Sequence, residues 1–212
     1  MRIAIVGSGG VGGYFGGRLA AAGADVAFLA RGAHLDALRT RGLRIVSPKG
    51  DVDLPRVHAF GDTREIGPVD VVLFAVKLYD VDSALLSLAP LIGAATVVVP
   101  LQNGVDAAAL VERAVGRAHT AGGTCYVAAV IAEPGVIRHT AMDHLLFGEL
   151  DRVRSPRLTA FHEACRPAGF QATLSDDIMF DVWTKFVRLS VMSGMTAVTR
   201  SPLGVLRDDP DL

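Results

Sequence analysis

Cysteine is nearly absent from the chain: Cys125 and Cys165 are the two thiols in 212 residues, and they stand in no CxxC or zinc-like spacing. That excludes a disulfide framework and a cysteine-built metal site. Charge of one sign is lacking as well. The 21 Lys+Arg balance 22 Asp+Glu, for a formal net charge of −1, which argues against nucleic acid as a partner because a clustered basic surface is needed there. Long apolar runs are missing too. A stretch such as Val69–Val76 is strand-length and interrupted by Asp70, whereas a spanning helix needs about 20 mostly apolar residues. The opening MRIAIVGSGG runs straight into a glycine-rich turn and has no signal-peptide layout. The histidines form no metal-ligand spacing, so no metal is expected. These absences together predict a soluble cytoplasmic protein with reduced thiols, no membrane segment and no nucleic-acid partner.

What is present is apolar and rich in glycine. Half of the residues are hydrophobic and 23 are glycine, and mean hydropathy is +0.39. This is far too apolar for disorder, and long enough to bury a core without cross-links. Short apolar strands alternate with helical stretches. Strands are predicted at Arg2–Val6, Asp25–Leu29, Asp70–Val76 and Thr96–Leu101. Helices are predicted at Val11–Ala22, His34–Arg41, Val81–Leu88 and Ala107–Val115. Continuous apolar strands joined by helical crossovers indicate an α/β fold with a doubly wound parallel sheet covered on both faces. Further on, Cys125–Ala132, Gly135–Thr140 and His144–Phe147 read as strands that extend or edge that sheet, followed by a helix at Arg157–Ala168 and a strand at Gln171–Leu174.

The end of the chain has another texture. Asp176-Asp177 can cap a helix by accepting from its free amides. That helix runs through Ile178–Arg200, apolar around much of its circumference, until Ser201-Pro202. Such a helix expects partners. The boundary falls near Ser175, giving a dinucleotide-binding, Rossmann-type domain over 1–175 and the first helix of an all-helical domain over 176–212.

Gly7-Ser8-Gly9-Gly10-Val11-Gly12 matches Gly-x-Gly-x-x-Gly directly after the first strand and at the start of the first helix. In that context the pattern is a dinucleotide turn: Gly7 for the tight turn, Gly9 for backbone approach to a pyrophosphate, Gly12 for close packing of helix on strand. The helix amino terminus supplies free amides and partial positive charge. The second strand ends Phe28-Leu29-Ala30-Arg31, with no acid at its tip to hold the ribose 2′-hydroxyl of NAD. Arg31 can grip a 2′-phosphate with a forked pair of hydrogen bonds, so NADP is favoured over a solvated loop charge. Val76-Lys77 ends the third main strand, where ligands of open α/β sheets bind, and Lys77 reads either as a cleft residue or as a surface lysine. Leu101-Gln102-Asn103-Gly104 ends the fourth. There Asn103 reads equally as a turn residue and as an amide that orients ribose or substrate.

At these residues the chain resembles the ketopantoate reductase (2-dehydropantoate 2-reductase) family. The likeness rests on MRIAIVGSGGVGGYFGGRLA, Arg31, Ala75-Val76-Lys77 and Leu101-Gln102-Asn103-Gly104, and continues into Trp183-Thr184-Lys185-Phe186 and Met195-Thr196-Ala197. It implies hydride transfer from NADPH to the C2 carbonyl of 2-dehydropantoate, giving (R)-pantoate for pantothenate and coenzyme A synthesis. It implies Lys185 as the catalytic lysine and Asn103 as the asparagine that positions cofactor and substrate. With the glycine motif and the strand ends, the cofactor-binding candidates are Gly7, Ser8, Gly9, Gly10, Val11, Gly12, Arg31, Lys77, Gln102 and Asn103. Without the likeness, Lys185 would read as a solvated helix lysine.

Two departures qualify what the resemblance implies. The family carries asparagines one and two turns after its lysine, positions that hold Leu189 and Ser193 here. Ser193 remains a substrate-binding candidate, and Leu189 points to a different 2-oxo acid or a bulkier substrate. Most of the family's helical domain, with its serine and glutamate ligands, has no counterpart in the 212 residues. Either the chain is part of something longer, or its last long helix finds cover in another subunit, so a homodimer or higher homo-oligomer is expected. The alternatives are a reductase of another 2-oxo acid and a non-catalytic NADP-binding protein.

Overall fold

A computed structural model describes residues 1–208; the end of the expected helical segment, 209–212, lies outside the described residues. The elements in chain order are β1 (Arg2–Val6), α1 (Gly10–Ala21), β2 (Asp25–Leu29), α2 (Gly32–Arg41), β3 (Leu43–Val46), β4 (Val52–Leu54), β5 (His58–Phe60), β6 (Val69–Phe74) and α3 (Val81–Leu85). There follow β7 (Ile92–Pro100), α4 (Ala107–Val115), β8 (Gly122–Glu133), β9 (Val136–Gly148), α5 (Pro156–Cys165), β10 (Gln171–Leu174), α6 (Ile178–Thr199) and α7 (Leu203–Asp208).

The first sheet has the order β5-β2-β1-β6-β7 and is parallel throughout. Alternate residues along its strands feed two separate cores, as the two-residue period of a strand requires. Ile3, Ile5, Phe28, Leu73 and Val99 face one core. Ala4, Val6, Val72, Phe74 and Val98 face the other, where Val81 of α3 and Val111 of α4 cover them. This is the doubly wound arrangement that the continuous apolar runs predict.

The predicted strands beyond Gly122 do not extend that sheet. They build a second one, ordered β10-β9-β3-β4 with β8 paired to β9. The stretches Gly135–Thr140 and His144–Phe147 are one strand, β9, whose antiparallel ladder with β8 runs from Gly122↔Gly148 to Glu133↔Val136. The physical reason lies in α1. Ile137, Leu145 and Phe147 of the hairpin, with Leu43 and Ile45 of β3, bury themselves in the same core as Ile5 and Phe28. The second sheet thus covers the helix that the first sheet leaves exposed, and α1 lies between the two. A Cβ on Gly16 would stand 2.6 Å from Ile5, and one on Gly17 would stand 2.6 Å from Ile45. Only a helix without side chains there fits between two sheets.

The last long helix is fixed at its start alone. The Asp177 carboxylate accepts from the Phe180 amide at 3.2 Å, while Asp176 pairs with Arg154 at 2.8 Å instead of capping. Ile178 and Val182 are buried with Leu146, and the rest of α6 is half-buried or exposed. Among the described residues, no helix is long and apolar enough to cross a membrane.

Candidate active site

The glycine turn separates glycines that the fold itself demands from one that it does not. Gly7 has φ +95 and follows β1 directly, a backbone conformation that side-chain-bearing residues avoid. A Cβ on Gly10 would stand 2.1 Å from the Ala129 carbonyl of β8, and one on Gly12 would stand 2.2 Å from the Gly7 carbonyl. Around Gly9, by contrast, nothing lies within 4 Å of where a Cβ would be. Gly9 is also the amino-terminal cap of α1, and no side chain hydrogen-bonds to that end of the helix. An open cradle before uncapped helix amides is the space a pyrophosphate fits. Val11 is half-buried and packs against the core. Ser8 is spent on the fold: its amide and its hydroxyl donate to the Leu29 carbonyl at 3.2 and 2.9 Å. Neither donor is left to face the cleft.

One residue missed in the sequence holds this turn in place. His34 Nε2 donates to the Ser8 carbonyl at 2.9 Å, and its Nδ1 accepts from the Gly135 amide at 3.1 Å. The imidazole therefore ties the glycine turn to the β8–β9 hairpin, and burial lowers its pKa. The neutral ring is the form that makes both bonds.

The carboxyl ends of β2, β6 and β7 supply the rest of the rim. Arg31 stands immediately before α2 and pairs with Asp80 at 3.0 Å. Lys77 is exposed and precedes the tight turn Leu78–Asp80. Gln102 is buried, and its Nε2 donates to the Phe74 and Val76 carbonyls at 3.0 and 3.1 Å. It acts as a strut holding the end of β6, and its Oε1 is buried without a partner.

The first turns of α6 bring Lys185 onto the start of β8. Its Nζ donates to the Cys125 carbonyl at 2.6 Å and to Asn103 Oδ1 at 3.0 Å, and lies 5.5 Å from the centre of the Tyr126 ring. Burial lowers the Lys185 pKa from its ordinary 10.5, opposed by the neighbouring Cys125 thiol. Burial also pushes that thiol up to about 11. Lys185 and Asn103 are thus in direct contact. Ser193 is exposed and, eight residues on, stands roughly 12 Å along the helix axis from Lys185. Leu189 is half-buried. Tyr126 and Arg188, whose guanidinium lies 6.0 Å from the same ring, carry no motif that sequence reading could find. Among the described residues, no group of three or more His, Cys, Asp or Glu could hold a metal.

The family model for ketopantoate reductase PanE/ApbA matches residues 3–152. A 2-dehydropantoate 2-reductase of Mesorhizobium japonicum is 33% identical over 230 residues, covering 99% of this chain and 70% of that protein. The crystal structure of 2-dehydropantoate 2-reductase from Porphyromonas gingivalis is 34% identical, with a TM-score of 0.90 over 98% of this chain and 76% of that one. A D-mandelate dehydrogenase solved with NADH and anilino(oxo)acetate reaches a TM-score of 0.85 over 99% of this chain and 68% of that one. At 21% identity it shares the fold alone.

Proposed function

The chain belongs to the ketopantoate reductase family, and from that membership we propose that it reduces the C2 ketone of a 2-oxo acid, 2-dehydropantoate first, with NADPH. NADPH, when bound, supplies the hydride. The amides at the start of α1, beside the open Gly9, hold its pyrophosphate; Arg31 and Lys77 receive the phosphate of the adenosine end. This assigns the dinucleotide site to residues 1–175 and the catalytic lysine to the helical segment 176–212.

The observation that carries the reading is the pair of hydrogen bonds on Lys185. An ammonium has three N–H donors, and two of them are taken by Cys125 O and Asn103 Oδ1. The third is fixed in direction and free for a substrate. As charge builds on the ketone oxygen, that N–H stabilises it and delivers the proton. Burial, which lowers the Lys185 pKa, makes this proton easier to give up. Asn103 is a positioning residue in this scheme, because it orients Nζ.

A second reading, turnover of a different 2-oxo acid, is favoured by Leu189, which lies half-buried one turn after Lys185 and offers no hydrogen bond. Oxidation of NADPH by the purified chain, assayed with 2-dehydropantoate and with other 2-oxo acids, decides between the two. Preference for 2-dehydropantoate supports the first reading, turnover confined to a bulkier keto acid supports the second, and no turnover with any keto acid contradicts both. The exposed Phe180, Trp183, Val187 and Val191 of α6 support a homo-oligomer, which light scattering tests; a stable monomer contradicts it. Two buried free thiols, with Cys165 pushed up to about 12, fit a reducing, cytoplasmic setting.

A further inference from the structure

We propose that Asp80 is a cofactor-specificity residue: its carboxylate competes with the 2′-phosphate for Arg31 and narrows the preference for NADPH over NADH. The inference rests on the cofactor reading above and goes beyond it. The tip of β2 carries no acid, yet the fold delivers one from a different strand end. The tight turn after β6 carries Asp80 to Arg31, with Nη2 and Oδ2 3.0 Å apart.

Asp80 is the fixed member of the pair. Its amide donates to the Lys77 carbonyl at 2.9 Å, and its own carbonyl accepts from Ser83 Oγ at 2.9 Å. Its side chain is 27% exposed, against 74% for Arg31. Although Asp80 sits at the amino-terminal cap of α3, its side chain makes no capping bond there. The carboxylate is therefore not spent on the helix, and Arg31 is its ionic partner.

The chemistry of the two cofactors then separates them. A 2′-phosphate on Arg31 would have to share the guanidinium with the Asp80 carboxylate and so meet a second negative charge about one guanidinium's width away. A ribose 2′-hydroxyl is neutral and can donate to the same carboxylate, so NADH meets no such cost. Arg31 favours NADPH and Asp80 offsets part of that preference.

Calorimetric titration of NADPH and NADH into the wild-type chain and its variants tests this without turnover. Asp80→Asn is expected to tighten NADPH about tenfold, which is about 1.4 kcal/mol, and to leave NADH within about twofold. Asp80→Glu, which keeps the charge, should retain the wild-type ratio. In an Arg31→Ala background, Asp80→Asn should move NADPH by less than about threefold, because the contested partner is gone. An unchanged or weakened NADPH affinity in Asp80→Asn overturns the inference alone. Wild-type chain that binds neither nucleotide overturns the cofactor reading, and this inference with it.

Discussion

Helices α1 and α6 are both apolar and both contribute to the candidate active site, α1 by its amino terminus and α6 by Lys185, yet they are held in opposite ways. Every residue of α1 from Gly12 to Leu19 is buried, between two sheets that touch its glycines on either side. On α6 only Ile178 and Val182 are buried, and Trp183, Val187, Val191 and Val198 remain exposed. The body of α1 is therefore set by packing that admits no added atom at Gly12, Gly16 or Gly17, while the space at Gly9 stays open. The lysine arrives on a helix fixed by its cap, two buried side chains and the hydrogen bonds of its own Nζ. Tight packing gives a rigid glycine turn, whereas Lys185 Nζ is placed by polar contacts with Asn103 and Cys125.

Four substitutions or conditions break or sharpen that contrast, from the largest effect to the smallest. Gly9→Val fills the open cradle and should weaken NADPH binding by about 100-fold or more while leaving the thermal midpoint unchanged. Calorimetry and thermal melts check both halves, and normal binding would remove the cradle from the cofactor site. Gly16→Val, one face further along α1, meets Ile5 and Phe28 and should cost about 3 kcal/mol of stability by overpacking. Urea unfolding measures it, and a wild-type midpoint would mean that α1 is not wedged between the sheets.

The third concerns pH. Burial holds the folded pKa of His34 below its ordinary 6.5, so the unfolded chain takes up this proton more readily than the folded one. The stability His34 contributes is present above 6.5 and is lost as pH falls through the lower folded value. Urea midpoints on either side of 6.5 should show that decline in the wild type and a shallower one in His34→Ala; identical slopes would remove His34 from the effect. Smallest of all, Val187→Ser on the exposed face of α6 should change the stability of the monomeric chain by less than about 0.5 kcal/mol. A larger loss in the monomeric chain would show that this face packs within the chain itself; the homo-oligomer proposed above predicts a larger loss only where copies associate.

Much of this was legible in the residues, for identifiable reasons. Strands β1 and β2 have the predicted bounds, because buried parallel strands are apolar without interruption. The Asp177 cap and the run to Thr199 follow from local patterning. What was not legible depends on partners distant in sequence. Strands β3, β4 and β5 have four, three and three residues, too few for a period to show. The hairpin's choice of α1 rather than the edge of β7 is a packing decision that no window of sequence contains. In the site, Arg31 is legible from its place after the second strand, and Lys185 only through the family likeness. Asp80 and His34 are not legible, because each acquires its role only when another strand end or turn is folded against it. Ser8 and Gln102 show the converse: they sit inside recognisable motifs, yet their side chains are spent on Leu29, Phe74 and Val76.

The most direct test of the account compares wild-type chain with Lys185→Ala in NADPH oxidation with 2-dehydropantoate, with NADPH affinity measured alongside. The account predicts a fall in kcat of about 100- to 10,000-fold, as expected for loss of a positioned proton donor, with NADPH affinity within about twofold of wild type. Unchanged turnover in Lys185→Ala would contradict it, because the ketone would then be reduced without the ammonium that Asn103 and Cys125 hold in place.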